Sequence, residues 1–192
     1  MQGIKKIVII GPESTGKSTL SELLAKHYHT VWCPEYAREY LLEHGTDYTF
    51  DDLLTIAKGQ LALQKEYETL VLNTEQKKGS SRLLFIDTDM HVMKVWCEFV
   101  FGQCHAFIEE AIKKQQCDLY LLCNIDLPWV ADELREYPDE GPRIELHAIY
   151  KHILENQPVP WVDISGNYKQ RLQKAIDAAD TTFGLPHRNI GT

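Results

Sequence analysis

A glycine-rich stretch at residues 11–18, GPESTGKS, constrains the fold of this chain more than any other part of the sequence. It has the form G-x-x-x-x-G-K-S, which is the pattern of a phosphate-binding P-loop. Residues 6–10 before it are mostly apolar and β-branched, which predicts a buried strand. Residues 17–28 after it predict a helix. Because a P-loop needs a strand before it and a helix after it, we expect this stretch to bind phosphate.

The residue types of the loop suit that task. Gly11 and Gly16 permit backbone angles and close approaches that a Cβ atom would block. The N–H groups of the loop and of the following helix N-terminus are expected to point at phosphate oxygens. Lys17 should reach the β- and γ-phosphates, and Ser18 should offer its hydroxyl to Mg²⁺. The predicted nucleotide-binding residues of the loop are Gly11, Glu13, Ser14, Thr15, Gly16, Lys17, Ser18 and Thr19.

The composition excludes several function classes. The chain has 192 residues, 44% of them hydrophobic, which suits one domain with a buried core. A net charge of -8 argues against a nucleic-acid partner, and the absence of a long apolar run in the sequence argues against a membrane partner. The N-terminus enters the first strand directly, and the five cysteines form no C-x-x-C pair. We therefore expect a cytoplasmic protein without a signal peptide or a zinc site, and a homo-oligomer stays open.

Hydrophobic patterns predict five strands alternating with helices, and hence an α/β fold. The predicted strands cover residues 6–10, 30–35, 82–89, 119–124 and 161–165. The predicted helices cover residues 17–28, 36–44, 51–70, 90–101, 105–116 and 169–182, with one more ending near residue 156. We expect a P-loop NTPase with a five-stranded parallel sheet flanked by helices on both faces. Residues 1–182 form one predicted domain, with a polar loop at 77–81, a lid segment at about 126–143 and a poorly ordered tail at 183–192.

A second motif follows the third predicted strand. Residues 83–86 are apolar and lead into Asp87, which is the Walker B pattern of a buried strand that presents a carboxylate at its end. We expect Asp87 to order Mg²⁺, and its alternative role is a cap for the next helix. Because ligands of parallel sheets bind at the carboxyl ends of the strands, the P-loop, Glu35, Asp87 and the 124–126 stretch should surround one crevice.

The sequence also narrows the class of P-loop protein. GTPases read guanine with an N/T-K-x-D motif, whereas the fourth strand here ends in Asn124-Ile-Asp126, without the lysine. AAA+ machines need a second lid domain, for which this sequence is expected to be too short. Nucleoside and nucleotide kinases remain, and they carry an arginine-bearing lid after the fourth strand. Arg135 and Arg143 are the predicted catalytic arginines of that lid, clamping phosphate oxygens after closure.

Several stretches together resemble one known family. They are residues 11–20, 35–38, 56–60, 86–89, 95–102 and 119–129. From about residue 5 to about residue 180 the chain resembles the ribosylnicotinamide kinase domain of NadR-type proteins. The resemblance implies ATP-dependent, Mg²⁺-assisted phosphorylation of nicotinamide riboside to nicotinamide mononucleotide, a step of NAD biosynthesis. Longer members add an adenylyltransferase domain with an H-x-G-H motif or a DNA-binding helix-turn-helix. Neither is found in this sequence, so those activities are not expected.

Related nucleoside kinases imply roles for the acidic residues. Glu35 should accept the proton of the 5′-hydroxyl, because phosphoryl transfer needs only a weak base. Its alternative is a salt bridge to Arg38 three residues on, and Arg38 could also orient Glu35 or touch phosphate. Asp87 or Asp89 could replace Glu35 as the base. Asp89 and Thr88 are predicted to face the acceptor, although Asp89 suits a helix N-cap equally well.

Aromatic residues are the predicted contacts of the acceptor ring. Nicotinamide riboside carries a positive pyridinium, which favours aromatic faces and acids around it. Tyr36, Trp96 and Trp129 are the predicted substrate-binding aromatics, with Trp96 and Trp129 preferred. Gly166 and Tyr168 are predicted to hold adenine. A regulatory nucleotide-binding ATPase or GTPase-like switch that acts on a partner protein is the alternative to a kinase, and the choice between ATP and GTP stays open.

Overall fold

The structure is a computed structural model that describes residues 3–74 and 82–186. Within these residues, five parallel strands form one sheet in the order β2-β3-β1-β4-β5, and seven helices cover it. This confirms the predicted fold class. The strands are β1 Lys5–Ile10, β2 Trp32–Cys33, β3 Leu83–Asp87, β4 Leu119–Cys123 and β5 Trp161–Ile164. The helices are α1 Lys17–Tyr28, α2 Tyr36–His44, α3 Phe50–Asn73, α4 Met90–Phe101, α5 Ala106–Lys114, α6 Glu140–Glu155 and α7 Tyr168–Phe183.

The central strand β1 separates two apolar cores. Alternate side chains of a strand point to opposite faces, so Ile7 and Ile9 lie in one core and Val8 and Ile10 in the other. The first core lies against α1 and α7, and the second includes buried residues of α4 and α6. Burial on both faces explains why these strands are nearly continuous apolar runs.

The strand register brings the two phosphate-site motifs together. β1 pairs with β3, and Ile9 lies opposite Asp87. The P-loop begins after Ile10, so the Walker B carboxylate lies next to the start of the loop. On the other side of β1, Ile10 lies opposite Leu122 of β4. The carboxyl ends of β3, β1 and β4 therefore form one edge on which a site can be built.

The structure differs from the sequence predictions at two places. β2 is only two residues long, whereas the pattern predicts a strand over residues 30–35. α6 begins at Glu140, so the irregular excursion after β4 ends before residue 143 and Arg143 lies inside a helix. The predicted loop at 77–81 and the end of the predicted tail, from residue 187, lie outside the described residues. In the part of the chain that the structure describes, no helix is long and apolar enough to cross a membrane.

Candidate active site

The P-loop is held close to the sheet by its first glycine. Gly11 has a φ of 140°, and a Cβ atom there would lie 2.7 Å from the carbonyl oxygen of Cys123. Only glycine fits that approach. Inside the loop, the carbonyl of Pro12 accepts hydrogen bonds from Thr15 Oγ1 at 2.7 Å and from Lys17 Nζ at 3.0 Å. Lys17 therefore lies folded over its own loop, where a phosphate would compete for its ammonium group.

Asp87 meets the P-loop through Ser18. The Ser18 hydroxyl donates to Asp87 Oδ2 at 2.5 Å, while the other carboxylate oxygen, Oδ1, has no hydrogen-bond partner within the described residues. Asp87 is completely buried. Burial, followed by the repulsion of nearby Glu35, raises the pKa of Asp87 from 3.8 to about 7, against the opposing effects of Lys17 and Ser18.

This arrangement fits a magnesium ion. A buried carboxylate oxygen without a partner is costly unless a ligand completes it. Asp87 and the Ser18 hydroxyl are both oxygen ligands, which Mg²⁺ prefers, and Mg²⁺ sites in phosphate-transfer proteins use one or two carboxylates together with phosphate oxygens. In residues 3–74 and 82–186, no three or more His, Cys, Asp or Glu side chains are grouped so that they could hold a metal ion by themselves.

Glu35 enters the same site from the end of β2. It is the N-cap residue of α2, and Thr88 Oγ1 donates to its Oε1 at 3.2 Å. Thr88 has a φ of 77°, a left-handed conformation that is strained for a β-branched residue. Such strain costs about 1–3 kcal/mol and is concentrated at functional sites. Thr88 thus joins the end of β3 to Glu35, directly after the Walker B carboxylate.

A cavity of about 240 Å³ opens in front of these groups. Its lining includes the whole P-loop, Glu35 and Arg38, and on the far side apolar residues of α4 and α6. The volume is slightly below the roughly 300–1,000 Å³ of most small-molecule sites, so the cavity suits a small ligand rather than a macromolecule. The lining also includes Trp96, Phe99, Arg135, Glu136 and Tyr137.

The predicted arginines have three different surroundings. Arg38 forms a bidentate pair with Asp132 at 3.1 and 3.0 Å, so the alternative pair with Glu35 is not formed. Arg135 lines the cavity and donates to the carbonyl of Val130. Arg143 is a correction to the predicted lid. It is buried on α6, and its guanidinium donates to the carbonyl oxygen of Ile125 at 3.4 Å. Arg143 therefore supports the start of the excursion after β4 and does not line the cavity.

The three aromatic residues predicted to contact the acceptor also lie in different surroundings. Trp96 lines the cavity, and its indole N–H donates to the Tyr48 hydroxyl at 2.9 Å. Tyr36 lies against α3, where a Cβ atom on Gly59 would come 2.1 Å from the Tyr36 ring. Trp129 lies behind the P-loop and donates to Glu13 Oε1 at 3.1 Å. Of the three, the geometry therefore favours Trp96 for contact with an acceptor.

Asp89 is the N-cap of α4. Its Oδ1 accepts the backbone N–H of His91 at 2.9 Å, and its Oδ2 accepts from the Tyr120 hydroxyl at 2.8 Å and from Gln115 at 3.0 Å. The side chain is buried and these donors occupy both oxygens. Of the two roles that the sequence left open for Asp89, the contacts support the cap, and Glu35 is better placed to act as a base.

The other side of the P-loop is held by an arginine that sequence reasoning missed. Arg171, on α7, is buried and donates to the carbonyl oxygens of Gly166 at 2.7 Å, Thr15 at 2.9 Å and Asn124 at 2.8 Å, and it also pairs with Asp126. The Gly166 N–H donates to Asp126 at 2.5 Å. One guanidinium thus joins the P-loop, the end of β4 and the turn after β5. No periodicity or motif marks this residue in the sequence.

The exposed ring of Tyr168 lies beside this network. A Cβ atom on Gly16 would come 3.4 Å from its Cε1 atom, and 54% of the Tyr168 surface is exposed. Gly166 and Tyr168 therefore flank the start of α1, on the side of the loop away from Glu35. This is compatible with the predicted adenine contacts.

Comparisons with known proteins agree with this geometry. The model of a protein family described as an AAA domain matches residues 6–171. The sequence argument against AAA+ machines therefore does not extend to this family, whose description carries the AAA name. The trifunctional NAD biosynthesis/regulator protein NadR of Escherichia coli (strain K12) is 28% identical over 188 residues, which cover 94% of this chain and 43% of that protein. The chain thus spans less than half of the length of this curated relative.

Solved structures share the fold. A crystal structure of NadR protein in complex with NR superposes with a TM-score of 0.79 at 24% identity, covering 98% of this chain and 52% of that one. Thymidylate kinase from Ehrlichia chaffeensis superposes with a TM-score of 0.65 at 13% identity, covering 92% of this chain and 99% of that one. At these identities the likeness shows the fold, which the chain shares with a NadR protein and with a thymidylate kinase.

Proposed function

The chain belongs to this AAA domain family of P-loop proteins, and from that premise we propose that it is an ATP-dependent kinase of a nucleoside-type small molecule. The acceptor we favour is nicotinamide riboside, which would be converted to nicotinamide mononucleotide in NAD biosynthesis. One observation carries the proposal: Glu35 lines the same small cavity as Lys17 and Ser18. A carboxylate that shares a small, partly aromatic cavity with a P-loop suits phosphoryl transfer to a small hydroxyl compound.

In the proposed reaction the 5′-hydroxyl oxygen of the acceptor forms a bond to the γ-phosphorus of ATP. The bond from that phosphorus to the β,γ-bridging oxygen breaks, ADP leaves, and the hydroxyl proton passes to Glu35. Thr88 holds Glu35 by its Oε1 atom, so that the other carboxylate oxygen is available to the acceptor. Lys17 releases Pro12 and neutralises charge on the β- and γ-phosphates.

Magnesium would be held by Asp87 and Ser18. The partnerless Oδ1 atom of Asp87 and the Ser18 hydroxyl supply the oxygens that such an ion needs. When bound, the ion would neutralise charge on the phosphate oxygens during transfer. Arg135 and Arg38 line the cavity and could add positive charge from the side of the lid, whereas buried Arg143 serves the lid as a support.

The cavity lining supports a cationic, flat acceptor. Trp96 and Tyr137 offer aromatic surface, and Glu35 and Glu136 bring two acids to the same space. Burial raises the pKa of Glu136 above its usual range, and a bound cation would favour its charged form. A pyridinium ring gains from both kinds of group. The relative named for NAD biosynthesis and the NadR structure that contains NR support the same choice of acceptor.

The proposal is tested by measuring ADP or GDP release with ATP or GTP as donor. Each donor is incubated with no acceptor, with nicotinamide riboside and with a panel of uncharged nucleosides. We expect nicotinamide riboside to stimulate turnover strongly with ATP. Lys17→Ala is the control, because it removes the charge on the loop and should abolish that turnover in a folded protein. Slow turnover that is equal with and without every acceptor would refute the kinase proposal and favour a nucleotide-dependent switch.

A further inference from the structure

Two P-loop side chains, those of Glu13 and Ser14, accept hydrogen bonds from the segment that follows β4. The Glu13 carboxylate accepts three hydrogen bonds from the excursion after β4: from Trp129 Nε1 at 3.1 Å, from the Glu136 N–H at 2.9 Å and from the Tyr137 N–H at 2.8 Å. We call these three bonds the Glu13 latch. Ser14 Oγ adds a fourth contact by accepting from the Val130 N–H at 2.9 Å. The loop thus grips residues 129–137 near both ends.

The gripped segment forms one wall of the cavity. Residues 134–137 all line it, together with residues of α2 and α4. They lie in a stretch without helix or strand, between Cys123 and Glu140, so side-chain contacts rather than backbone ladders hold them in place. Besides the latch and Ser14, contacts with other elements include the Arg38–Asp132 pair, the bond from Tyr48 to Glu136 at 3.1 Å and an edge-to-face contact between the rings of Tyr137 and Phe99 of α4, 5.6 Å apart.

Glu13 is the anchor on which most donors converge. Hydrogen bonds to a carboxylate are about twice as strong as neutral ones, and two of the three donors are backbone N–H groups. The bonds from Trp129 and Tyr137 are partly buried, whereas the bond from Glu136 is exposed. The Arg38–Asp132 pair is partly exposed and is therefore a weak anchor by comparison. Removing the Glu13 carboxylate would release Trp129 and residues 136 and 137 at once.

We propose that Glu13 is a positioning residue for the acceptor side of the site: its latch fixes residues 134–137 as the wall against which the acceptor binds. The side chain of Glu13 would then help to position the phosphoryl acceptor, while its backbone remains part of the phosphate-binding loop. The identity of the acceptor rests on the proposed kinase function, but the latch itself does not, since its hydrogen bonds join two parts of the chain.

The first experiment therefore needs no ligand. Hydrogen exchange of residues 129–137 is compared in the wild type, Glu13→Gln and Glu13→Ala, with Glu133→Gln as the matched control. Glu133 is an exposed acid in the same segment, so its variant makes the same charge change without touching the latch. We expect faster exchange at residues 136 and 137 in the order Ala, Gln, wild type, because glutamine keeps one accepting oxygen. Trp129→Phe removes one donor of the latch. In a protein that carries this change, Glu13→Gln should increase the exchange rate by less than it does in the wild type.

The second experiment measures steady-state kinetics of the same variants with ATP and nicotinamide riboside. We expect Glu13→Gln to raise the KM for the acceptor about tenfold, the scale of one lost charge-assisted bond, and to leave the KM for ATP within about twofold. Glu133→Gln should match the wild type. Unchanged exchange at 129–137 in both Glu13 variants would overturn the latch. Faster exchange together with an increase in the KM for ATP alone would overturn the acceptor-side role. If the protein showed no kinase activity, the proposed function would fail, and the exchange result alone would show whether the Glu13 latch exists.

Discussion

Replacing Asp87 by asparagine should make the nucleotide-free protein more stable while removing its metal site. Asp87 is buried with one oxygen unpartnered, and its pKa is raised from 3.8 to about 7. A carboxyl group with a higher pKa in the folded state loses stability as the pH rises from its unfolded pKa to its folded pKa. At 1.36 kcal/mol per pKa unit, the charged side chain costs about 4 kcal/mol above pH 7.

Asparagine is neutral at every pH and keeps the acceptor oxygen for Ser18. Its amide N–H₂ group is a new buried donor without an established acceptor, and burying such a donor costs about 1–3 kcal/mol of stability. We therefore expect a net gain of about 1–3 kcal/mol at pH 8 and a smaller or absent gain at pH 5, where wild-type Asp87 is protonated in the folded protein. For a chain of this size each kcal/mol corresponds to about 2–4 °C in melting temperature.

The assay is thermal unfolding of Asp87→Asn and the wild type between pH 5 and pH 8, with and without Mg²⁺ and a non-hydrolysable ATP analogue. Asp47→Asn, at an exposed position, is the control and should show no gain that grows with pH. Mg²⁺ with the analogue should stabilise the wild type far more than Asp87→Asn. Equal or lower stability of Asp87→Asn at pH 8, or a gain that does not change with pH, would refute the reasoning.

Three further substitutions test other parts of the site. Glu35→Gln should keep the affinity for ATP and lower kcat by roughly 10²–10⁴-fold, and unchanged kcat at saturating acceptor would remove its role as base. Arg171→Lys should raise the KM for ATP with little change in the KM for the acceptor, because lysine cannot reach all the carbonyls that Arg171 joins; an unchanged KM for ATP would show that the P-loop does not depend on it. Gly59→Ala should destabilise the protein by about 1–3 kcal/mol in urea unfolding, despite a helix-propensity gain of about 1 kcal/mol, because its Cβ would overlap Tyr36. A more stable Gly59→Ala protein would contradict that packing.

Much of the fold could be predicted because its boundaries have local causes. α1, α2 and α4 begin and end where the sequence predicts, and a glycine with positive φ marks one end of each: Gly16, Gly45 and Gly102. The prediction was too long for β2, since this edge strand pairs only with β3 and Pro34 has no N–H to continue a ladder. Sequence periodicity does not show which strand becomes an edge.

The P-loop, Asp87 and Glu35 could be placed in one crevice because strand ends of a parallel sheet share an edge. The lid was harder, since its contacts join residues far apart in the sequence. Arg143 fits a lid pattern but lies on the buried face of α6. Trp129 fits an acceptor pocket but bonds to Glu13 instead. Arg171 has no sequence signal at all, because three of its four partners are backbone carbonyls, whose positions depend on the finished fold.

The most direct test of the proposed function follows both products by ³¹P NMR in a single reaction of ATP, Mg²⁺, nicotinamide riboside and the purified chain. Phosphoryl transfer predicts that a phosphomonoester signal of nicotinamide mononucleotide grows in a one-to-one ratio with ADP, with little free phosphate. The Lys17→Ala protein should give neither signal. If ADP and inorganic phosphate grew together at the same rate with and without nicotinamide riboside, and no phosphomonoester formed, the kinase account would be wrong.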